Sequence, residues 1–204
     1  MRIWLDMDGV IVDLVGPWLE WLNNRYNLDL VPSDIDSWYV ADITKLRGRG
    51  YTREEVNYPL TQYDFWLSLP IYPGAKEAVQ RWQLMGHDVR VASTPYNGPT
   101  AGAKFEWMNR NLPEIPWRHI NLSGDKSTLI GDVMVDDKVD NLAGFRGHKV
   151  FVHQPWNISD EWGVLADNDY ITFATYHTPL EPNAHETHWE QLDHIIDILD
   201  DGRI

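Results

Sequence analysis

Asp6-Met7-Asp8-Gly9-Val10 sets two carboxylates one residue apart, close to the start of the sequence. Such a pair can divide labour, one carboxylate attacking an electrophile and the other moving protons. Apolar Ile3-Trp4-Leu5 precedes the pair and Ile11-Val12 follows it. This arrangement predicts a buried strand that ends in two acids and a glycine turn. In an open α/β sheet the tip of such a strand faces the ligand crevice. The same Asp-x-Asp spacing recurs at Asp34/Asp36 and Asp167/Asp169, in polar surroundings with no buried strand before it. Solvated turns are expected there.

Three further groups fit the same chemistry. Asp88-Val89-Arg90-Val91-Ala92 runs into Ser93-Thr94-Pro95, and Asp132-Val133-Met134-Val135 runs into Asp136-Asp137. Lys126 lies in the loop Ser123-Gly124-Asp125-Lys126-Ser127, ahead of the latter strand. Carboxylates can hold Mg²⁺, which takes oxygen ligands, and one of them can form an aspartyl-phosphate. A hydroxyl and an ammonium group can steady the equatorial oxygens of a transferring phosphoryl group. No P-loop is present.

The elements that must position these groups read as strands at residues 2–6, 88–93, 118–122, 131–136, 148–153 and 170–174. Helical patterns lie between them, as at 74–85 and 100–111. Strands alternating with helices predict an α/β fold, a Rossmann-like parallel sheet with helices on both faces. Residues 13–72 separate the first two strands and carry Leu14, Trp18, Trp21 and Leu22 at helical spacing, then a helical stretch at 53–58. A small helical cap over 14–72 is expected, inserted into a core of 1–13 and 73–204. Trp189, Leu192, Ile195, Ile196 and Leu199 predict an amphipathic C-terminal helix over 185–201. Its His185, His188 and His194 are expected at the surface, since no third ligand completes a metal set.

Composition limits the partners. The chain has 204 residues and a formal net charge of −14. So acidic a surface repels nucleic acid polymers, which bind through Lys and Arg on phosphates. A small phosphorylated substrate stays compatible where a metal and lysines make one pocket positive. No apolar run approaches bilayer length, and no signal or transit segment is expected before the first strand. The absence of cysteine excludes disulfides and thiolate chemistry and suits a cytoplasmic enzyme. The 11 tryptophans are expected mostly in the core, with some free to stack on a base.

Taken together, the order Asp6-x-Asp8-Gly9-Val10, Ser93, Lys126 and Asp136-Asp137 resembles the four motifs of the haloacid dehalogenase-like superfamily. Within it the chain is most similar to the 5′(3′)-deoxyribonucleotidases, on Asp6–Val10, Ser93-Thr94-Pro95, and Asp125-Lys126 with Asp137. The resemblance implies hydrolysis of deoxyribonucleoside monophosphates, with Asp6 as nucleophile and Asp8 as acid and base. It implies Mg²⁺ on the Asp6 carboxylate, the Asp8 carbonyl and Asp137, with Asp136 in support. Ser93, Thr94, Lys126 and Lys104 would bind phosphate. The order Ser93-Thr94 reverses the more frequent Thr-Ser and keeps a hydroxyl. Lys104 alternatively reads as a solvent-facing helix lysine. Trp38-Tyr39-Val40 resembles the stretch that contacts the base, Phe65-Trp66 lies near a second aromatic position, and Leu14 replaces an aromatic. Each of these also reads as cap core. Dehalogenases of the superfamily lack an acid at the position of Asp8, because a halide needs no proton. Alternatives are a phosphatase of another small phosphomonoester, such as a sugar phosphate, and a non-catalytic nucleotide-binding protein or interaction scaffold. A homodimer is compatible with all of these readings.

Overall fold

Ile3 and Leu5 turn to one side of the first strand and Trp4 to the other, and this alternation separates two apolar layers. The computed structural model describes residues 1–157, 170–175 and 188–202. Among these, β1 (Arg2–Leu5), β2 (Asp88–Ser93), β3 (Ile120–Leu122), β4 (Val133–Asp136), β5 (His148–His153) and β6 (Tyr170–Thr175) form one sheet. Its order is β3-β2-β1-β4-β5-β6, and every pairing is parallel. The order reverses at β1, so the crevice between the tips of β1 and β4 is the switch point where such sheets bind ligands. Asp6 and Asp8 follow one of these strands, and Asp136-Asp137 closes the other.

The strands begin and end within a few residues of the expected limits. The largest differences are at the starts of β3 and β4; at β3, Trp117–His119 form a 3-10 turn after Pro116 and the strand starts only at Ile120. Proline cannot donate to a ladder, and it leads the chain into a turn here. Helices α4 (Ala75–Leu84), α5 (Gly98–Asn111) and α7 (His188–Asp200) contribute to the Ile3 layer through Val79, Trp107 and Ile196. On the Trp4 face, α6 (Val139–Ala143) packs through Val139 and Leu142. Helices therefore cover both faces, as the alternating pattern implies. His194 is exposed on α7; His185 and the Asp167/Asp169 pair lie outside the described residues.

Between β1 and β2 run α1 (Val15–Tyr26), α2 (Arg53–Asn57) and α3 (Tyr63–Ser68), joined by 3-10 turns. The segment leaves and returns side by side. Asp13 N–H donates to the Pro70 carbonyl at 3.0 Å and Tyr72 N–H to that of Ile11 at 2.9 Å. Its buried Leu19, Leu22, Ile35 and Val56 belong to the same apolar cluster as Ile3 and Leu5.

Many of the tryptophans act as staples. A buried indole contributes apolar area while its N–H needs an acceptor. Trp18 donates to the Val56 carbonyl at 2.8 Å, Trp66 to Leu60 at 2.8 Å, Trp107 to Leu69 at 2.8 Å and Trp189 to Val10 at 3.0 Å. Each bond fastens a helix to another helix, a turn or a loop. No helix among the described residues is long and apolar enough to cross a membrane.

Candidate active site

The first strand is extended by one backbone bond beyond Leu5, from Asp6 N–H to the Val135 carbonyl at 2.9 Å. The chain then turns. Ile11 and Val12 both donate to the Met7 carbonyl at 2.9 Å. Gly9 has φ of +71°, and a Cβ there would stand 2.6 Å from Asp137 Oδ2. Only glycine allows both the left-handed backbone and this approach of the β4 tip. The turn thus presents the Asp6 carboxylate to one group of side chains and Asp8 to another.

The first group is acidic. Asp6, Asp136 and Asp137 are all buried, and one carboxylate oxygen from each lies within 4.8 Å of the others. Lys126 Nζ sits between Asp6 Oδ1 and Asp136 Oδ2, 2.7 Å from each. Asp136 is further saturated by Asn141 Nδ2 at 2.9 Å and the Lys138 N–H at 2.9 Å. It is inaccessible, and its contacts are to Lys126, Asn141 and the Lys138 N–H. Asp137 differs. Oδ2 accepts from Trp156 Nε1 at 2.8 Å, and no described group donates to its other oxygen.

Crowding shifts these acids. Burial, with the Asp6 charge beside it, pushes Asp136 up to about 6, against the pull of Lys126. Burial raises Asp137 well above the carboxylate range, and Asp6 and Asp136 add to it. Burial on its own would lower Lys126, yet Asp6 and Asp136 outweigh it and hold its ammonium above the usual lysine range.

The second group gathers around Asp8. Lys104 has no exposure and its Nζ donates to Asp8 Oδ2 at 2.5 Å and to Ser93 Oγ at 2.8 Å. The ring centre of Trp66 is 4.2 Å from that nitrogen. Lys104 is therefore not the solvent-facing helix lysine of the alternative reading. Asp8 Oδ1 is shielded and, among the described residues, accepts no hydrogen bond. Burial raises the Asp8 carboxyl, Lys104 opposes this, and Asp6 adds to it. Ser93 is fully buried behind its bond to Lys104, whereas exposed Thr94 fronts the crevice and donates to the Ser123 carbonyl at 3.2 Å.

A cavity of about 400 Å³ joins these groups to the cap segment. Asp6, Asp8, Asp137, Lys126 and Thr94 line it from the core, and Trp38, Tyr39 and Val40 line it from the segment between β1 and β2. One face of each aromatic is already attended by a cation: Lys138 Nζ is 5.0 Å from the Trp38 ring centre and the Arg53 guanidinium 4.7 Å from that of Tyr39. Leu14 also lines the cavity, but Phe65 and Trp66 do not. Leu60 and Asn57 occupy that part of the wall instead.

The turn after β5 supplies partners that sequence reasoning missed. Trp156 holds the Asp137 carboxylate, and Asn157 Nδ2 donates to the Asp137 carbonyl at 2.8 Å. Gln154 Nε2 donates to the Gly9 carbonyl at 2.5 Å. A readable signal existed: Gln154-Pro155-Trp156-Asn157 is a polar turn closing a buried strand, the same pattern that marks β1, β2 and β4.

Comparison with known proteins gives the family and the fold. Residues 1–168 match the family described as 5′ nucleotidase, deoxy (Pyrimidine), cytosolic type C protein. The 5′(3′)-deoxyribonucleotidases of Bacillus subtilis and of Bacillus phage SPbeta are each 32% identical over 155 residues, covering 75% of this chain and 85% of theirs. That of Clostridium acetobutylicum is 25% identical over 166 residues, covering 81% of this chain and 89% of its own. A solved haloacid dehalogenase family hydrolase from Deinococcus radiodurans R1, with bound phosphate and sodium, superposes with a TM-score of 0.60 at 15% identity, covering 96% of this chain and 95% of its own. With its fold that of the haloacid dehalogenase-like hydrolases, the chain is a phosphoric monoester hydrolase and belongs to the 5′ nucleotidase, deoxy (pyrimidine), cytosolic type C family.

Proposed function

We propose that this protein hydrolyses deoxyribonucleoside monophosphates to deoxynucleoside and phosphate through an aspartyl-phosphate on Asp6, with Mg²⁺ as cofactor. One observation carries the reading. A buried carboxylate at the switch point pairs with Lys126, Asp8 beside it is tied to Lys104 and through it to Ser93, and both carboxylates line a cavity whose other lining residues are largely aromatic and aliphatic. The 5′(3′)-deoxyribonucleotidase relatives and the family description support the same reading. In this reading 14–72 acts as the cap on a core of 1–13 and 73–204, and the family's cytosolic designation supports a cytoplasmic location.

The residues fit a divalent cation. Three buried carboxylates converge, two of them with raised pKa values, and Asp137 keeps an oxygen without a donor. Oxygen ligands of this kind suit Mg²⁺. Asp6, the Asp8 carbonyl and Asp137 would hold it, and Asp136 supports the site through Lys126. Bound there, the ion supplies positive charge against the phosphoryl oxygens.

The chain's own groups do the rest. A carboxylate oxygen of Asp6 attacks phosphorus, and the bond from phosphorus to the sugar oxygen breaks. Asp8, whose carboxyl is raised by burial, gives its proton to that leaving oxygen. It then takes a proton from the water that attacks the phospho-enzyme, which frees Asp6 and inorganic phosphate. Lys126 and Thr94 face the transferring group, and Lys104 and Ser93 steady it from behind through Asp8.

A Mg²⁺-dependent phosphate-release screen tests this. dUMP or dTMP is expected to be turned over well above a sugar phosphate, and activity is expected to vanish with EDTA. Nucleotides no better than the generic ester would remove the nucleotide assignment while leaving the phosphatase. The turn after β5 gives a separate test of the metal site. Trp156→Phe removes the donor to Asp137 Oδ2 and is expected to weaken Mg²⁺ binding ~10–100-fold, read by titration calorimetry without substrate. Unchanged affinity would show that Asp137 needs no such support.

A further inference from the structure

We propose that the Asn57 side-chain amide reads the hydrogen-bonding edge of the substrate's base and so separates nucleotides from bare sugar phosphates. The inference rests on the nucleotidase reading above and adds the residue that enforces it.

Asn57 is the last residue of α2, and it lines the cavity. The rest of the cap wall is aliphatic or aromatic, including Leu14, Val15, Ile35, Val40 and Leu60. Asn57 is the one amide side chain there. An asparagine at a helix end ordinarily bonds its own local backbone. This one does not cap the following turn, and among the described residues its amide has no hydrogen-bond partner. The indole N–H of Trp18, also on that wall, is already donated to the Val56 carbonyl.

The backbone on either side of Asn57 is fixed. Val56 is fully buried and its carbonyl holds Trp18. Tyr58 stacks on Trp21 with ring centres 5.8 Å apart and planes 28° from parallel. At the start of α2, Thr52 and Glu55 form a reciprocal cap. The amide is thus held ready without being used, which lowers the ordering cost of binding.

An amide shows one N–H donor and one carbonyl acceptor side by side. The edge of a nucleobase shows the complementary pair, N3–H with O4 in uracil and thymine, or N3 with the 4-amino group in cytosine. Rotating the amide by half a turn serves either, so Asn57 recognises a base without choosing among pyrimidines. A sugar phosphate has no such planar edge and gains nothing from the amide.

The test compares the wild type with Asn57→Leu on dUMP and on 2-deoxyribose 5-phosphate, both with Mg²⁺. Asn57→Leu is expected to lower kcat/KM for dUMP ~10–100-fold, mostly through KM. Turnover of 2-deoxyribose 5-phosphate should stay within about twofold, a change small enough to be no lost hydrogen bond. Asn57→Gln, which keeps the amide, should recover part of the loss. Equal losses on the two substrates would mark Asn57 as structural and overturn the proposal, as would undiminished use of dUMP. In both cases the nucleotidase reading stands if the wild type still prefers dUMP. A wild type indifferent between the two substrates overturns that reading and this one together.

Discussion

Asp6→Asn is expected to lower kcat for phosphate release at least ~10⁴-fold while the folded protein keeps its stability or gains about 1 kcal/mol. The two halves have one cause. Asp6 is the carboxylate aligned with the cavity, and its charge raises Asp8, Asp136 and Asp137 together. Removing that charge removes the nucleophile and relieves the repulsion. The asparagine oxygen can still accept from Lys126, so the ammonium is not stranded. Phosphate release from dUMP and the urea midpoint of the same preparation measure both effects, with mass spectrometry to exclude deamidation back to aspartate. Turnover within a hundredfold of the wild type would show that another group attacks phosphorus. A fall of several kcal/mol in the unfolding free energy from those urea curves would show that Asp6 is needed for folding rather than strained within the fold.

Where the site could be read from sequence, each residue closed a local pattern. Asp6, Asp8 and Asp137 follow short apolar runs that only a buried strand explains, and the order β3-β2-β1-β4 then brings their tips together. Lys126 was legible by its place before β4. Lys104 was not, because its environment is made by distant chain. On α5 it neighbours buried Ala103 and Trp107, and Trp66 of α3 covers it. A lysine on a helix reads as solvated until the helix that buries it is known. The same holds for Phe65-Trp66. Residue types placed them near the cavity, but Trp66 turns inward to reach the Leu60 carbonyl. That bond leaves the wall to Leu60 and Asn57. For Trp156 and Asn157 the polar turn closing a buried strand was legible, but their contact with Asp137 depends on β5 lying beside β4, a pairing that periodicity does not specify.

Lys126→Met is expected to act on the same site with the opposite effect on stability, costing ~3–5 kcal/mol near pH 8 as well as the activity. The side chain is almost wholly buried and compensates two buried carboxylates at once, Asp6 and Asp136. Methionine fills the volume and leaves both charges without their cation. The loss should shrink as pH falls, and the sign follows from Asp136. Its folded pKa is already raised to about 6 by burial and by Asp6, with Lys126 pulling it down. Without Lys126 it rises further, while the unfolded carboxylate stays near the usual ~4. Between those values the folded state binds a proton that the unfolded state releases, so acidification favours folding. Urea midpoints of wild type and variant at pH 8 and pH 5.5 should therefore converge at the lower pH. A gap of the same size at both would mean that Lys126 is held by packing alone, and the charge pairing around Asp6 would lose its central place in the site.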